Sequence, residues 1–141
     1  MSMSSVSAAI HPSDRFGAGA AGAAWVFTRS SGVWTQQGHK LAATGGVWTQ
    51  QGASVALAVD GNIALVGGFA HDRNAGAAAV FTRSGGEWTQ EKELAGHSGL
   101  GKAAPSVALS ADGSVVLLGE PEDSGGLGAA LAFTRPATGD Y

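Results

Sequence analysis

Apolar residues in this chain fall in short runs, and the runs are closed off by Gly, Asp and Ser. SVALAV at 54–59 is followed by Asp60-Gly61 and then by NIALVGG at 62–68. Two apolar runs about an Asp-Gly pair predict a β-hairpin, with the pair supplying the positive φ angles of a type I′ turn. SVALSADGSVVLLGE at 106–120 repeats the pattern around Asp112-Gly113. A second hairpin is predicted where GAAAVFTR at 76–83 meets EWTQ at 87–90 across Ser84, Gly85 and Gly86. β-branched and aromatic residues flank that flexible turn. No stretch combines an amphipathic helical period with proper caps. The strands do not alternate cleanly: VALAV and IALV are apolar on both faces, so their sheet needs a neighbour on each side.

The same letters return at a fixed interval. VFTR stands at 26–29 and 80–83, and AFTR at 132–135, spacings of 54 and 52 residues. One unit reads SVAL-x-x-DG, an apolar run, a variable Gly/Asp loop, GAAxVFTRSGG and xWTQ, or about four antiparallel strands. Four-stranded units repeating at about 40–55 residues and packed face to face describe propeller blades. GVWTQQG occurs twice, at 32–38 and 46–52. Trp34 and Trp88 each lie 8 residues after the Val of VFTR, whereas Trp48 has no counterpart in the next unit. Trp34 is therefore expected in a strand, and Trp48 in a connecting loop whose equivalent is AGHSGLGKAAP at 95–105.

Composition narrows the class. Gly makes up 23 of 141 residues and charged residues 13%, against roughly 25% charge in ordinary soluble domains. Small residues and few charges point to close backbone packing and many turns, not to a disordered tail. The net charge is −3 and there is no basic run, so nucleic acid is not an expected partner. The chain has no Cys, which excludes disulfides and thiolate metal sites. No apolar run approaches ~18 residues, so no membrane span is expected. The first residues lack the pattern of a signal peptide.

SVALSADG, GAALAFTR and GAAAVFTRSGGEWTQ together resemble the FG-GAP repeat of integrin-alpha-type β-propellers, in its bacterial form. The resemblance runs from about Phe16 to Arg135. The name-giving motifs are eroded: Gly52-Ala53 and Ala104-Pro105 stand where Phe-Gly would precede the first strand, and Gly119-Glu120-Pro121 stands where Gly-Ala-Pro would end the second. The expected fold is all-β, a partial β-propeller of about two to three four-stranded antiparallel blades. An N-terminal segment at 1–15 is read as carrying a degenerate second strand, Val6–Ile10. An incomplete first blade with its linker follows at 16–53, a complete middle blade with its linker at 54–105, and an incomplete last blade at 106–141. Closed propellers have about four to eight blades. The chain is thus read as a piece of a longer propeller, as part of a ring closed by self-association, or as a freestanding arc. The resemblance implies a non-catalytic structural or interaction module, extracellular or at the cell surface. Its implied partners are other blades, from self-association or missing chain segments, and protein or glycan ligands. A self-assembling carbohydrate-binding propeller is the alternative.

Candidate chemistry is sparse. GAGAAG at 17–22 matches G-x-G-x-x-G, but a dinucleotide site needs a strand before it, a helix after it and an acid about 20 residues on. Strand-like AAWVFTR follows here, and no Asp or Glu lies between Asp14 and Asp60. No cofactor is expected. Integrin-type calcium loops need several oxygen ligands around one ion, whereas the turns at Asp60 and Asp112 each offer one Asp. Glu120, Glu122 and Asp123 are the only weak metal candidates. His11, His39, His71 and His97 lack metal-site spacing, and no nucleophile, base and acid are fixed relative to one another; the chain is not read as an enzyme. Arg29, Arg83 and Arg135 recur at one place in each unit, either as strand-end hydrogen-bonding cations or as an anion-reading row. Trp34 and Trp88 are read as packing between blades, or as stacking platforms for sugar.

Overall fold

A computed structural model describes residues 3–9, 22–44, 48–70, 75–95, 106–120 and 123–136. The described residues form ten strands: β1 (Met3–Ala9), β2 (Ala23–Ser30), β3 (Val33–Gln36), β4 (Trp48–Leu57), β5 (Ile63–Ala70), β6 (Ala75–Ser84), β7 (Glu87–Ala95), β8 (Ser106–Leu109), β9 (Val115–Glu120) and β10 (Ala129–Thr134). A single helical turn, α1 (Asp123–Gly126), lies between β9 and β10. The fold is all-β. Three antiparallel meanders follow one another along the chain: β1-β2-β3, then β4-β5-β6-β7, then β8-β9-β10.

The middle sheet is buried on both faces, as its apolar strands require. Alternate residues of a strand point to opposite sides. Ala64 and Val66 of β5, with Ala77, Ala79 and Phe81 of β6, pack against Ala24 and Val26 of the first sheet and Leu41 and Ala43 of the linker after it. Ile63 and Leu65, with Val80 and Leu94, pack the other way, against Val116 and, at its margin, Val107, Leu109 and Phe133 of the third sheet. Strand β4 runs beside β1 and β2 on one side and β8 on the other. Each fully buried Val or Leu in this stack contributes roughly 1.5–3 kcal/mol of transfer free energy.

Equivalent residues make equivalent bonds. Ala58 N–H donates to Ile63 O at 2.9 Å and Gly61 N–H to Ala58 O at 2.9 Å; 52 residues on, Ser110 donates to Val115 O and Gly113 to Ser110 O at the same distances. Arg83 N–H to Asn62 O and Arg135 N–H to Ser114 O are both 2.8 Å. The middle and third sheets are thus copies at the level of single hydrogen bonds. Their turns also touch, through Val59 N–H to Ala111 O at 2.9 Å.

Two expectations need correction. The Asp-Gly hairpins are not type I′. Among the described residues Ser31 is the only non-glycine with positive φ, so Gly61 and Gly113 alone turn left-handed, at 72° and 75°. The connection is four residues long, a turn followed by one αL glycine. The Asp carboxylate explains the choice: Asp60 Oδ1 accepts from Asn62 N–H, and Asp112 Oδ1 from Ser114 N–H, an Asx turn that supplies the bend. The two-residue turns with paired positive φ lie instead at Ser31-Gly32 (49° and 81°) and Gly85-Gly86 (59° and 83°).

Trp48 also differs from expectation. It is not in a loop but opens β4, paired with Ala70, and the ladder shifts register between Thr49 and Ser54. Its segment is extended and rich in strand-forming residues, so it joins the sheet. Gly52, at φ 89°, absorbs the mismatch with the following SVAL run. The middle sheet therefore begins six residues before Ser54. Strand β1 covers Met3–Ala9, with Val6 opposite Val26; Ile10 lies outside the described residues.

Asp112 makes the third sheet sensitive to acid. Hydrogen bonds from the Ser114 hydroxyl and amide and from the Ser110 hydroxyl pull its pKa from 3.8 down to about 2. A carboxyl held low in the folded state adds stability above its unfolded pKa and loses it as pH falls through the folded one. The stability gap between the native chain and Asp112→Asn should therefore be constant above pH 5 and shrink from 3.8 to about 2. Urea unfolding of both proteins at stepped pH measures it, and a gap that does not vary with pH would contradict the turn described.

Candidate functional site

The recurring Arg and Trp are brought together by hairpin register. Arg29 stands opposite Trp34 across β2 and β3, and Arg83 opposite Trp88 across β6 and β7. In each pair the guanidinium lies over the indole, 5.8 Å from the ring centre. Such a contact contributes about 0.5–1 kcal/mol when exposed.

Around Arg83 the device is complete. Its Nη1 donates to Gln37 Oε1 at 2.9 Å, and Trp88 Nε1 donates to the same oxygen at 3.2 Å. Its Nε and Nη2 fork onto Asn62 Oδ1 at 3.1 and 2.9 Å. Arg83 thus fastens the end of the first sheet to the turn of the middle one. Arg135 repeats the move, with Nη2 donating to Glu91 Oε1 at 2.8 Å. Gln37 and Glu91 hold the same place, three residues after Trp34 and Trp88. An Arg in each of these two sheets thus holds the side chain at Trp+3 of the sheet before. The Glu91–Arg135 pair is partly shielded, with side-chain exposures of 16% and 30%. Glu91 Oε2 is buried and, among the described residues, has no hydrogen-bond partner.

Arg29 differs from its two counterparts. It is exposed, Trp34 is 48% exposed, and its guanidinium takes part in no hydrogen bond with a described residue.

Two other glutamines that follow WT, Gln51 and Gln90, tie down the linker at 39–44. Gln51 is buried, and its amide accepts from Ala43 N–H at 2.5 Å and donates to Ala43 O at 3.5 Å. Gln90 does the same for Thr44, at 2.9 and 3.3 Å. Ala24 and Leu41 then exchange backbone bonds of 3.0 and 2.7 Å. Gly22, at φ +69°, passes so close to Gln51 that a Cβ there would strike its carbonyl. Sequence reasoning singled out Arg and Trp but missed Gln37, Gln51, Asn62, Gln90 and Glu91. The available signal was that Gln or Glu follows WT in every copy.

The acidic candidates are placed only in part. Glu120 is buried at the end of β9, opposite Ala129. Asp123 begins α1, and Glu122 lies outside the described residues. Among the described residues no three His, Asp or Glu come close enough to hold a metal ion. His39 is exposed after β3; His11, His71, His97 and the first five residues of GAGAAG lie outside the described residues. No helix among the described residues is long and apolar enough to cross a membrane. No family model, curated protein or solved structure matches the chain.

Proposed function

We propose that the chain is a non-catalytic structural and interaction module, its three sheets being successive blades of an FG-GAP-type propeller arc. One observation carries the reading: the middle sheet is covered on both faces by its siblings, and each interface is pinned by the same Arg-to-Trp+3 bond. Arg83 and Arg135 are engaged between sheets, with Gln37 and Glu91, which favours a scaffold.

Hydrogen exchange on the full chain tests it. Gln37→Ala and Arg83→Ala should each speed exchange in β2 and β3 while β8 and β9 keep their protection. Equal loss in all three sheets would mean one undivided core and would reject a row of separable units.

The second reading, a carbohydrate-binding propeller assembled from several copies, draws on the exposed Trp34. Trp88 supports it less, because its indole N–H is already donated to Gln37. A glycan panel separates the two: sugar affinity that Trp34→Ala removes without loss of fold favours the lectin.

A further inference from the structure

The Arg-to-Trp+3 bond recurs at both interfaces within the chain, and Arg29 is the next member of that row. We propose that Arg29 and Trp34 form a docking site for another sheet of the same repeat, seated by a Gln or Glu three residues after its own Trp. The proposal rests on the reading of stacked units given above and adds the side chain that selects the neighbour.

The chemistry of the occupant follows from the donors. Arg83 and Trp88 together present two N–H groups to one oxygen, and that oxygen belongs to an amide. Arg135 presents its N–H to a carboxylate oxygen. Neither guanidinium nor indole N–H can accept a hydrogen bond. The Arg29–Trp34 pair has the same stacking distance and calls for the same kind of acceptor, which excludes Lys or Arg at that place.

The surrounding face agrees. Val26 corresponds to Val80, and both point to the sheet that follows. The residues alternating with them point back toward the sheet before. In the middle sheet these are Ala79 and Phe81, both buried under the first sheet. In the first sheet they are Trp25 and Phe27, which are only half-buried. A strand-paired sheet with two half-buried aromatic residues on one face and an exposed Arg at its end repeats the surface that the middle sheet buries through Ala79 and Phe81 and the third sheet half-buries through Leu131 and Phe133, and so continues the established interface.

The test supplies the missing occupant. In a version of the chain, the sequence of residues 84–95 (SGGEWTQEKELA) is placed directly after Arg135, so that the third sheet gains a fourth strand and a Glu at Trp+3. Sedimentation should show this extended chain joining head to tail, and acrylamide should quench its tryptophans less than those of the native chain. Arg29→Ala in the extended chain should weaken association by about tenfold or more. Changing the appended Glu to Ala should do the same, and changing it to Gln should leave association largely intact. Arg29 is exposed, so circular dichroism should show the Arg29→Ala extended chain folded. An extended chain that sediments like the native one overturns the proposal. So does association that ignores Arg29→Ala, or a sugar that occupies Trp34 and blocks no association. If Arg83→Ala loosens the first sheet while the extended chain stays monomeric, the docking site fails and the stacked-unit reading survives. If Arg83→Ala loosens nothing, that reading fails by itself.

Discussion

Leu65→Ala is expected to destabilise the chain by about 3–4 kcal/mol, near the upper part of the range for buried leucines. Leu65 is fully buried in β5, one strand in from the edge of the middle sheet. Its side chain points at Val116 across the interface with the third sheet, among Ile63, Val80 and Leu94. Collapse around the vacated space is hindered because β5 is hydrogen-bonded on both sides and its other face is packed against the first sheet. Leu117→Ala, in β9, is the matched control. Leu117 is 47% exposed, so its loss should cost less than about 1 kcal/mol. Urea titration of both variants at constant m-value gives the comparison. If Leu65→Ala unfolds within 1 kcal/mol of the native chain, the interface between middle and third sheets is not a packed core, and the stack described above is wrong.

That core was legible in the sequence because IALV can be satisfied in only one way. A strand with Ile63 and Leu65 on one face and Ala64 and Val66 on the other has no side to give to water. The positions of the hairpins were legible too, since each of these turns carries a Gly where the chain turns left-handed. The kind of turn was not: Asp60 and Asp112 could serve as αL residues or as Asx caps, and only the approach of the Asn62 and Ser114 amides decides between them. Trp48 was misplaced for a different reason. Aligning units by length made its segment the equivalent of a linker, but pairing with Phe69 and Ala70 depends on a partner strand some twenty residues away. The Arg-to-Trp+3 bonds were hidden because they join residues 44 to 46 apart across two sheets. Periodicity within a strand carries no information about which side chain of the next sheet comes to meet it.

The glutamines show how the repeat turns one short motif to two uses. In GVWTQQG at 32–38 the last Gln, Gln37, faces the middle sheet and receives Arg83 and Trp88. In the second copy the register shift before Ser54 turns the corresponding Gln51 inward, against the linker. Gln51→Ala should therefore be costly in a way the sequence would not suggest, about 2–3 kcal/mol. Its amide is the partner of both Ala43 N–H and Ala43 O in a buried place, and a buried backbone group left without a partner costs about 1–3 kcal/mol. Gln90→Ala removes a similar pair of bonds from Thr44, but at an exposed site where water can replace them, so its effect should stay below about 1 kcal/mol. Amide exchange at Leu41 and Ala43, read beside urea stability, separates the effects: Gln51→Ala should expose both amides, and Gln90→Ala neither. Should the two variants prove equally mild, Gln51 does not anchor the linker, and the close approach of Gly22 to its backbone must hold the first sheet in place without the side chain's help.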